Sequence, residues 1–295
     1  MIALLASTSF AAAPPPIVNG ATTWHYDEAV LLFIDDDDAS TAPTSCTGSL
    51  IADRWVVTAA HCVVEEPGFV VRHIRVVIGD EQVPWSADAG LEAISWTAHA
   101  DYDADAERSD VAMVELGTRV FSAMLPLSVD LPADSDHGTD FRIVGYGATG
   151  ERLPPDNTRR RADVPLYAFD DYLLYTYDPA DQQNACYGDS GGPLLRLYPD
   201  GSYALAGVTD YVSGCEGGGL GAARVDRLTD WISGFTEDFT VHDLAPPPEV
   251  DDDDGGGTIP KDDPGDDAIC GTPGTAGAVG AAAGLLLARS RRQKR

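Results

Sequence analysis

The sequence predicts an all-β fold of two antiparallel barrels followed by a C-terminal helix. Two series of short β-type runs carry this prediction, and residues 118–140 between them contain the prolines and glycine expected of a crossing between barrels. Apolar residues then recur at helical spacing from Leu228 to Phe235. With 295 residues, of which 44% are hydrophobic, the chain is long enough to bury a substantial core.

The first series consists of six β-type runs, which is enough for one closed antiparallel barrel. The runs are Ala29–Ile34, Cys46–Ile51, Trp55–Thr58, Ile74–Ile78, Leu91–Thr97 and Val111–Leu116. An acidic cluster, Asp35–Asp38, follows the first run. We interpret it as a solvated loop, because consecutive side chains do not converge on one cation.

The second series begins after residue 140. Its runs are Phe141–Gly147, Ala162–Leu166, Pro193–Leu197, Tyr203–Thr209 and Gly221–Val225. The apolar residues that follow share one helical face, which favours packing against the barrel over a ligand surface. They are Leu228, Trp231, Ile232 and Phe235.

The charge of the chain excludes one large class of partners. Its formal net charge is −29, whereas nucleic-acid binding needs clustered Lys and Arg, so we expect no nucleic-acid partner. Such a charge suits a soluble, exported protein. The five histidines other than His61 have no spacing that suggests a metal site, and no run is long enough for an ordinary membrane span.

The stretch from Asn184 to Leu194 carries the strongest chemical signal. Ser190 is flanked by glycines, so backbone N–H groups can approach a substrate carbonyl with no Cβ in the way. A serine hydroxyl becomes a nucleophile only when a base takes its proton and donors stabilise the oxyanion. A lone Gly-x-Ser-Gly is as often a turn between strands, but the full string Gly-Asp-Ser-Gly-Gly-Pro is far more specific.

Three motifs together resemble one family. Gly188–Pro193 resembles the active-serine signature of the chymotrypsin/trypsin family of serine peptidases, and Val57–Cys62 resembles its active-histidine motif. Ser109–Leu116 is similar to the strand that supplies the family's aspartate. The resemblance covers roughly residues 17–238.

The resemblance implies a catalytic triad of His61, Asp110 and Ser190, in the chymotrypsin order. It also implies an oxyanion hole formed by the N–H groups of Gly188 and Ser190. The implied fold is two antiparallel six-stranded Greek-key barrels with a C-terminal helix. The implied activity is endopeptidase cleavage of proteins or peptides through an acyl-enzyme, with no cofactor and no metal.

The same resemblance pairs four of the five cysteines. Cys46 with Cys62 and Cys186 with Cys215 match disulfides of the family, and each closure of this size stabilises the fold by roughly 3 kcal/mol. Disulfides of this kind imply an oxidising compartment. Buried free thiols in a cytosolic protein are the alternative, and the export signals at both ends argue against it.

Ile17-Val-Asn-Gly20 resembles the mature N-terminus of the family. In the family the freed amino group pairs with the carboxylate before the catalytic serine, here Asp189, and that ion pair orders the oxyanion loop. A buried carboxylate is costly unless a cation meets it. Pro16 departs from the family, where the activating cleavage follows Lys or Arg.

The resemblance also assigns five residues to substrate binding. Asn184 lies at the floor of the specificity pocket, Val212 and Leu220 lie on its walls, and Tyr211 is the aromatic residue of the substrate-binding strand. These residues predict a preference for small apolar side chains before the scissile bond. Asp210 departs from the family, which has a serine there that bonds the triad aspartate. Two adjacent carboxylates do not both ionise cheaply, so one is protonated or Asp210 points elsewhere.

The two ends of the chain predict export and tethering. Residues 1–16 form an export signal with a pro-segment, 17–240 the peptidase domain, 241–269 an acidic Pro/Gly/Asp linker, and 270–295 a tail. The tail resembles the myxobacterial type of bacterial surface-sorting domain, with Cys270 at its start, an apolar segment and an Arg-rich end. We expect a monomer at the bacterial surface or outside it, with sorting machinery acting at Cys270.

Two other functions remain open at this stage. Asp210 beside the triad suits a catalytically inactive homologue that acts as a binding module on the cell surface. A purely structural surface protein accounts for the two ends of the chain but not for the three motifs. Labelling of Ser190 by a fluorophosphonate probe distinguishes the enzyme from both.

Overall fold

The computed structural model describes residues 17–36, 43–65, 69–79, 83 and 90–242. A short strand, β1 (Ala21–Thr22), precedes a first barrel of six antiparallel strands. The barrel strands are β2 (Ala29–Asp35), β3 (Thr44–Ala52), β4 (Trp55–Thr58), β5 (His73–Val77), β6 (Leu91–Ala98) and β7 (Ala112–Leu116). The order around the closed barrel is β2-β3-β4-β7-β6-β5.

A second set of six antiparallel strands closes through the pairing of its fourth and first members. In chain order the remaining strands are β8 (Leu127–Ser128), β9 (Asp140–Gly145), β10 (Arg160–Phe169), β11 (Leu173–Thr176), β12 (Pro193–Leu197), β13 (Tyr203–Val212), β14 (Leu220–Arg224) and β15 (Val241–His242). The barrel order is β9-β10-β11-β14-β13-β12, and β12 returns to pair with β9. Outside the ring, β1 pairs with β10, and β8 runs parallel to both β13 and β15.

The apolar run in β2 shows why the two barrels pack together. Its alternate residues Val30, Leu32 and Ile34 lie in the core of the first barrel. The residues between them, Leu31 and Phe33, pack in a separate cluster with Tyr146 of the second barrel. Since successive strand residues point to opposite faces, a strand that is covered on both faces is apolar throughout.

A further apolar cluster contains residues of both barrels. Val57 and Val111 of the first barrel pack in one cluster with Val144 and Val208 of the second. Val57 lies close to His61 in sequence, and Val111 directly follows Asp110. Packing between the barrels therefore holds the candidate site together.

The predicted fold, two closed six-stranded antiparallel barrels, is confirmed. Every predicted run overlaps a strand, but the sequence prediction missed β11 of the second barrel and the two-residue strands β1, β8 and β15. Strand β11 has four residues and a burial pattern without period-2 alternation. It pairs with β10, which immediately precedes it, and with β14, which is distant in sequence.

The predicted helix is present but short. The helix α1 spans Thr229–Ser233 and follows a 3₁₀ turn at Val225–Arg227. Leu228 and Ile232 are buried in the cluster between the barrels, and Trp231 packs against it. The predicted core role of this segment is therefore confirmed.

Several sequence predictions lie outside the described residues. They are the export signal at 1–16, the acidic cluster from Asp37 onward, the linker beyond His242, and the tail with Cys270. Within the part of the chain that the structure describes, no helix is long and apolar enough to cross a membrane.

Candidate active site

His61 and Asp110 form a hydrogen-bonded pair at the edge of the first barrel. Nδ1 of His61 lies 2.5 Å from Oδ2 of Asp110, and the backbone N–H of His61 donates to Oδ1 at 2.8 Å. Asp110 is 1% exposed, whereas 25% of the His61 side chain is accessible. Because Nδ1 faces the carboxylate, Nε2 is the nitrogen left to meet a nucleophile.

Asp110 is ionised despite its burial. Burial raises the pKa of its carboxyl group, but the hydrogen bond and charge of His61 and a hydrogen bond with Asp210 outweigh this and hold the pKa below its ordinary value. An ionised Asp110 accepts from both N–H groups of His61. The neutral imidazole therefore carries its proton on Nδ1, which leaves Nε2 able to take one.

A tight turn presents Asp110 just before β7. Ser109 has a φ of 53°, in the left-handed region, and the N–H of Val111 donates to the carbonyl of Ser109 at 2.8 Å. This three-residue turn has Asp110 at its centre, so the side chain projects from the end of the strand. The strand itself begins one residue later than the sequence predicted, at Ala112.

His61 lies on a 3₁₀ turn that is tied to the Ser190 loop. The turn spans Ala60–Cys62, and the predicted disulfide between Cys46 and Cys62 is confirmed. The carbonyl oxygen of Ser190 lies 3.8 Å from Sγ of Cys62 and accepts from the N–H of Thr47 at 2.9 Å. The histidine turn and the serine loop are therefore adjacent.

Two glycines on either side of Ser190 have backbone conformations that favour glycine. Gly188 has a φ of 95°, and a Cβ there would lie 3.1 Å from both Cα of Gly147 and the ring of Pro155. Gly191 has a φ of 80°, and its Cβ would lie 2.1 Å from Oγ1 of Thr58. Both positions require glycine because of the conformation and the space together.

The far side of the serine loop is fastened to β13. The N–H of Gly191 donates to the carbonyl of Thr209 at 2.8 Å, and the N–H of Thr209 donates to the carbonyl of Gly192 at 2.9 Å. Cys186 and Cys215 form the second predicted disulfide, which is also confirmed. The loop that carries Ser190 is therefore held by the disulfide before the serine and by the hydrogen bonds to Thr209 after it.

Asp189 is buried beneath the serine loop. Its carboxylate accepts from the N–H of Gly147 at 2.8 Å and from the N–H of Cys186 at 2.9 Å. Burial raises its pKa to about 7, although these two N–H groups and the charge of Arg160 act in the opposite direction. Ile17, which the sequence analysis pairs with Asp189, is 1% exposed and packs in the core of the second barrel.

The residues predicted to form the specificity pocket lie near one another. The amide of Asn184 is buried and donates to the carbonyl of Gly214 at 2.8 Å. Val212 and Leu220 are opposite each other on β13 and β14 and pack in the same apolar cluster. The ring of Tyr211 lies over Gly221, at a place where a Cβ would approach it to 2.5 Å.

Asp210, the fifth residue assigned to substrate binding, lies close to His61 and Asp110. It is 7% exposed, and atoms of its carboxyl group, of Asp110 and of the His61 ring all lie within 4.8 Å of one another. The sequence left open whether Asp210 lies beside Asp110, with one of the two acids protonated, or points elsewhere. In the structure it lies beside Asp110.

Sequence reasoning missed the threonines that brace the site. The N–H of Thr47 donates to the carbonyl of Ser190. Its hydroxyl donates to the carbonyl of Gly188 at 2.8 Å. Thr58 donates to the carbonyl of Thr47 at 2.8 Å. Thr47 lies in the predicted run Cys46–Ile51 and Thr58 in the run Trp55–Thr58, but nothing in those runs separates a bracing threonine from an ordinary strand residue.

Two groups of side chains in the described part of the chain are close enough to share a metal ion. One is Cys46, His61 and Cys62, whose two sulfurs form a disulfide and so are not thiolate ligands. The other is His61 with the two aspartates described above. There the imidazole already bonds Asp110 through Nδ1.

Comparison with known proteins agrees with this arrangement. The family model of trypsin matches residues 17–232. Brachyurin of Leptuca pugilator is 31% identical over 203 residues, which are 63% of this chain and 85% of brachyurin. Serine protease 56 of Homo sapiens is 31% identical over 211 residues, 63% of this chain and 34% of that protein. Serine proteinase stubble of Drosophila melanogaster is 26% identical over 215 residues, 63% of this chain and 26% of that protein.

The chain thus spans most of brachyurin but only a minor part of the other two relatives. The family match covers both barrels and the segments that carry the serine and histidine motifs. The chain therefore belongs to the trypsin family and is a serine endopeptidase, a hydrolase that acts on proteins.

Proposed function

We propose that His61, Asp110 and Ser190 are the catalytic triad of this endopeptidase. The observation that carries the proposal is the pair of hydrogen bonds from His61 to the buried carboxylate of Asp110. The contacts of the Ser190 carbonyl with Thr47 and Cys62 support it, since they hold the serine loop against the histidine turn.

In the proposed mechanism Ser190 attacks the substrate carbonyl while Nε2 of His61 takes the hydroxyl proton. Asp110 stabilises the imidazolium that forms, and His61 then gives the proton to the leaving amine. The N–H groups of Gly188 and Ser190 stabilise the oxyanion, for which the left-handed backbone at Gly188 is suited. In the second half of the reaction, water attacks the acyl-enzyme while His61 takes its proton. His61 then returns the proton to the oxygen of Ser190 as the acid product leaves.

Replacement of Ser190 by Ala, or of His61 by Ala, tests this assignment. Each change alone is expected to lower kcat by about 10⁶-fold, because the triad acts as one unit. A fluorophosphonate probe should label the wild-type protein and not Ser190→Ala. Ser233→Ala, an exposed serine that donates to the carbonyl of Asp230, is the control and should keep both activity and labelling. Cleavage by Ser190→Ala at the wild-type rate would contradict the assignment.

We propose further that the enzyme prefers small apolar side chains before the scissile bond. Support comes from Val212 and Leu220, which face each other across β13 and β14 where they would narrow the pocket. Asn184 at the floor is neutral and already donates to Gly214. It therefore gives Arg or Lys no charged partner.

The preference is measured as relative kcat/KM on matched peptides with Ala, Val, Phe or Arg before the scissile bond. We expect Ala and Val to be favoured in a graded way, because fit alone discriminates by about 1 to 3 kcal/mol per methylene. Val212→Gly should widen the pocket and raise kcat/KM for the Phe peptide relative to Ala. A preference for Arg of tenfold or more in the wild-type enzyme would show that a carboxylate such as Glu216 reaches the pocket.

We also propose that the enzyme is exported as an inactive precursor and tethered by its tail. The two disulfides are consistent with an oxidising compartment. The burial of Asp189 favours a partner of positive charge, which a freed Ile17 amino group would provide.

A further inference from the structure

Asp210 is a buried acid for which the proposed mechanism has no use. Atoms of its carboxyl group, of Asp110 and of the His61 ring lie within 4.8 Å of one another. The inference that follows rests on the proposed function, in which His61 and Asp110 belong to the catalytic triad.

A β-bulge directs Asp210 toward the triad. In the pairing of β13 with β14, Thr209 is opposite Ala222 and Tyr211 is opposite Gly221. Asp210 is thus the extra residue of the bulge, and bulges next to active sites commonly re-aim a side chain. The two backbone hydrogen bonds between Thr209 and the serine loop fix the strand one residue before the bulge. The position of Asp210 relative to Ser190 is therefore set by the backbone.

Charge decides which of the two carboxyl groups holds a proton. Two buried carboxylates at this distance do not both ionise cheaply. Asp110 is the ionised member, because its two oxygens meet the backbone N–H and Nδ1 of His61. Burial raises its pKa, but these contacts and a hydrogen bond with Asp210 hold the pKa below its ordinary value. A hydrogen bond between two carboxyl groups needs one proton, and that proton then belongs to Asp210.

Tyr211, the next residue on β13, is a further titratable group that interacts with Asp210. Burial raises the pKa of Tyr211 first. The negative charge of Glu107 raises it further, as does that of Asp210 at the high pH at which a phenol titrates. Tyr211 is therefore neutral at ordinary pH and adds no charge beside Asp210. The carboxylate of Asp110 and the imidazole of His61 lie close to Asp210, and Tyr211 adds no charge at ordinary pH.

We propose that Asp210 is a neutral carboxylic acid that donates its proton in a hydrogen bond to Asp110. It acts as a positioning residue, because it holds the Asp110 carboxylate toward Nδ1 of His61 and keeps the pair of acids at a single negative charge. The proton stays on Asp210 throughout the reaction, and no bond to substrate is involved. A third side chain thus supports the two residues that activate Ser190.

Two substitutions of Asp210 distinguish a role as hydrogen-bond donor from a role as a second negative charge. Asp210→Asn keeps an N–H donor for Asp110 and cannot ionise, so kcat/KM should stay within about threefold of wild type, with its acid limb at the same pH. Asp210→Ala removes the donor and should lower kcat by about 10- to 100-fold with little change in KM, as expected for a lost hydrogen bond to a charged group. An acid limb that lies about one pH unit higher in wild type than in Asp210→Asn would overturn the proposal. A second negative charge would then be holding the proton on His61.

Infrared spectroscopy detects the protonated carboxyl group of Asp210 independently of enzymatic activity. In the Ser190→Ala protein at pH 8, the C=O stretch of a protonated carboxyl group should be present and should disappear in Ser190→Ala/Asp210→Asn. If the Asp210→Asn change removes no such band, Asp210 is not protonated and the proposal is refuted. If the band is found but the wild-type protein cleaves no peptide, Asp210 is protonated as inferred and the proposed triad is what fails.

Discussion

At Asp189, burial and ionisation oppose each other. The carboxyl group is fully enclosed, and its pKa is raised to about 7 by burial in spite of two N–H donors. A carboxyl group whose folded pKa is raised contributes stability that is present below its unfolded pKa and is lost as the pH rises through the folded pKa. In the proposed precursor, stability from this group is therefore lost between about pH 4 and pH 7.

The matching prediction compares two N-termini in the Ser190→Ala background. With Pro14–Pro16 retained, the free energy of unfolding should fall by the order of a few kcal/mol from pH 4 to pH 7, relative to Asp189→Asn. With Ile17 as the first residue, the α-ammonium group should meet Asp189 and remove this loss. Urea unfolding at each pH measures the difference. Parallel curves for the precursor and its Asp189→Asn variant would contradict the prediction.

At the scale of the element, the serine loop depends on a glycine that has no room for a side chain. At Gly191 a Cβ would lie 2.1 Å from Oγ1 of Thr58 and 2.4 Å from the carbonyl oxygen of Thr47. Gly201 has a similar backbone, with φ of 87°, but a Cβ there meets no heavy atom within 4 Å. The two glycines therefore separate the cost of backbone conformation from the cost of crowding.

Gly191→Ala and Gly201→Ala form a matched pair of variants. Gly201→Ala should cost about 1 to 2 kcal/mol of stability through its left-handed backbone alone and leave kcat/KM unchanged. Gly191→Ala should cost more than this, about 3 kcal/mol or more, and should also displace Ser190 and lower kcat. Denaturant unfolding and peptide hydrolysis provide the two measurements. Equal losses of stability in both variants would show that the loop relaxes around the added methyl group.

Elements with a clear local pattern could be predicted from the sequence, and those set by distant pairing could not. The apolar run in β2 is local, and its predicted place agrees with the structure. Strand β11 has four residues and also pairs with β14, which comes much later in the chain. The direction of Asp210 depends on a bulge between β13 and β14, which no pattern within β13 encodes.

At the scale of the whole molecule, each barrel contributes one half of the candidate site. His61 and Asp110 come from the first barrel, and Ser190 and Asp210 come from the second. One apolar cluster of residues from both barrels lies between these halves. The described chain continues through β15, which pairs with β8 outside the second barrel. The groups proposed for catalysis are therefore all contained in the chain up to His242.

The last prediction concerns the segment beyond His242. If Cys270 and the Arg-rich end direct the protein to the cell surface, removal of residues 243–295 should abolish surface localisation. It should leave kcat/KM unchanged, because every residue proposed for catalysis lies upstream. Cys270→Ala in the full chain should have the same effect on localisation, whereas Ser290→Ala, which keeps the cysteine and the terminal charges, should have none. Fractionation of a bacterium that carries the sorting machinery, with a peptidase assay on each fraction, measures both properties. Unaltered surface localisation in the truncated protein and in Cys270→Ala would refute the role of the tail.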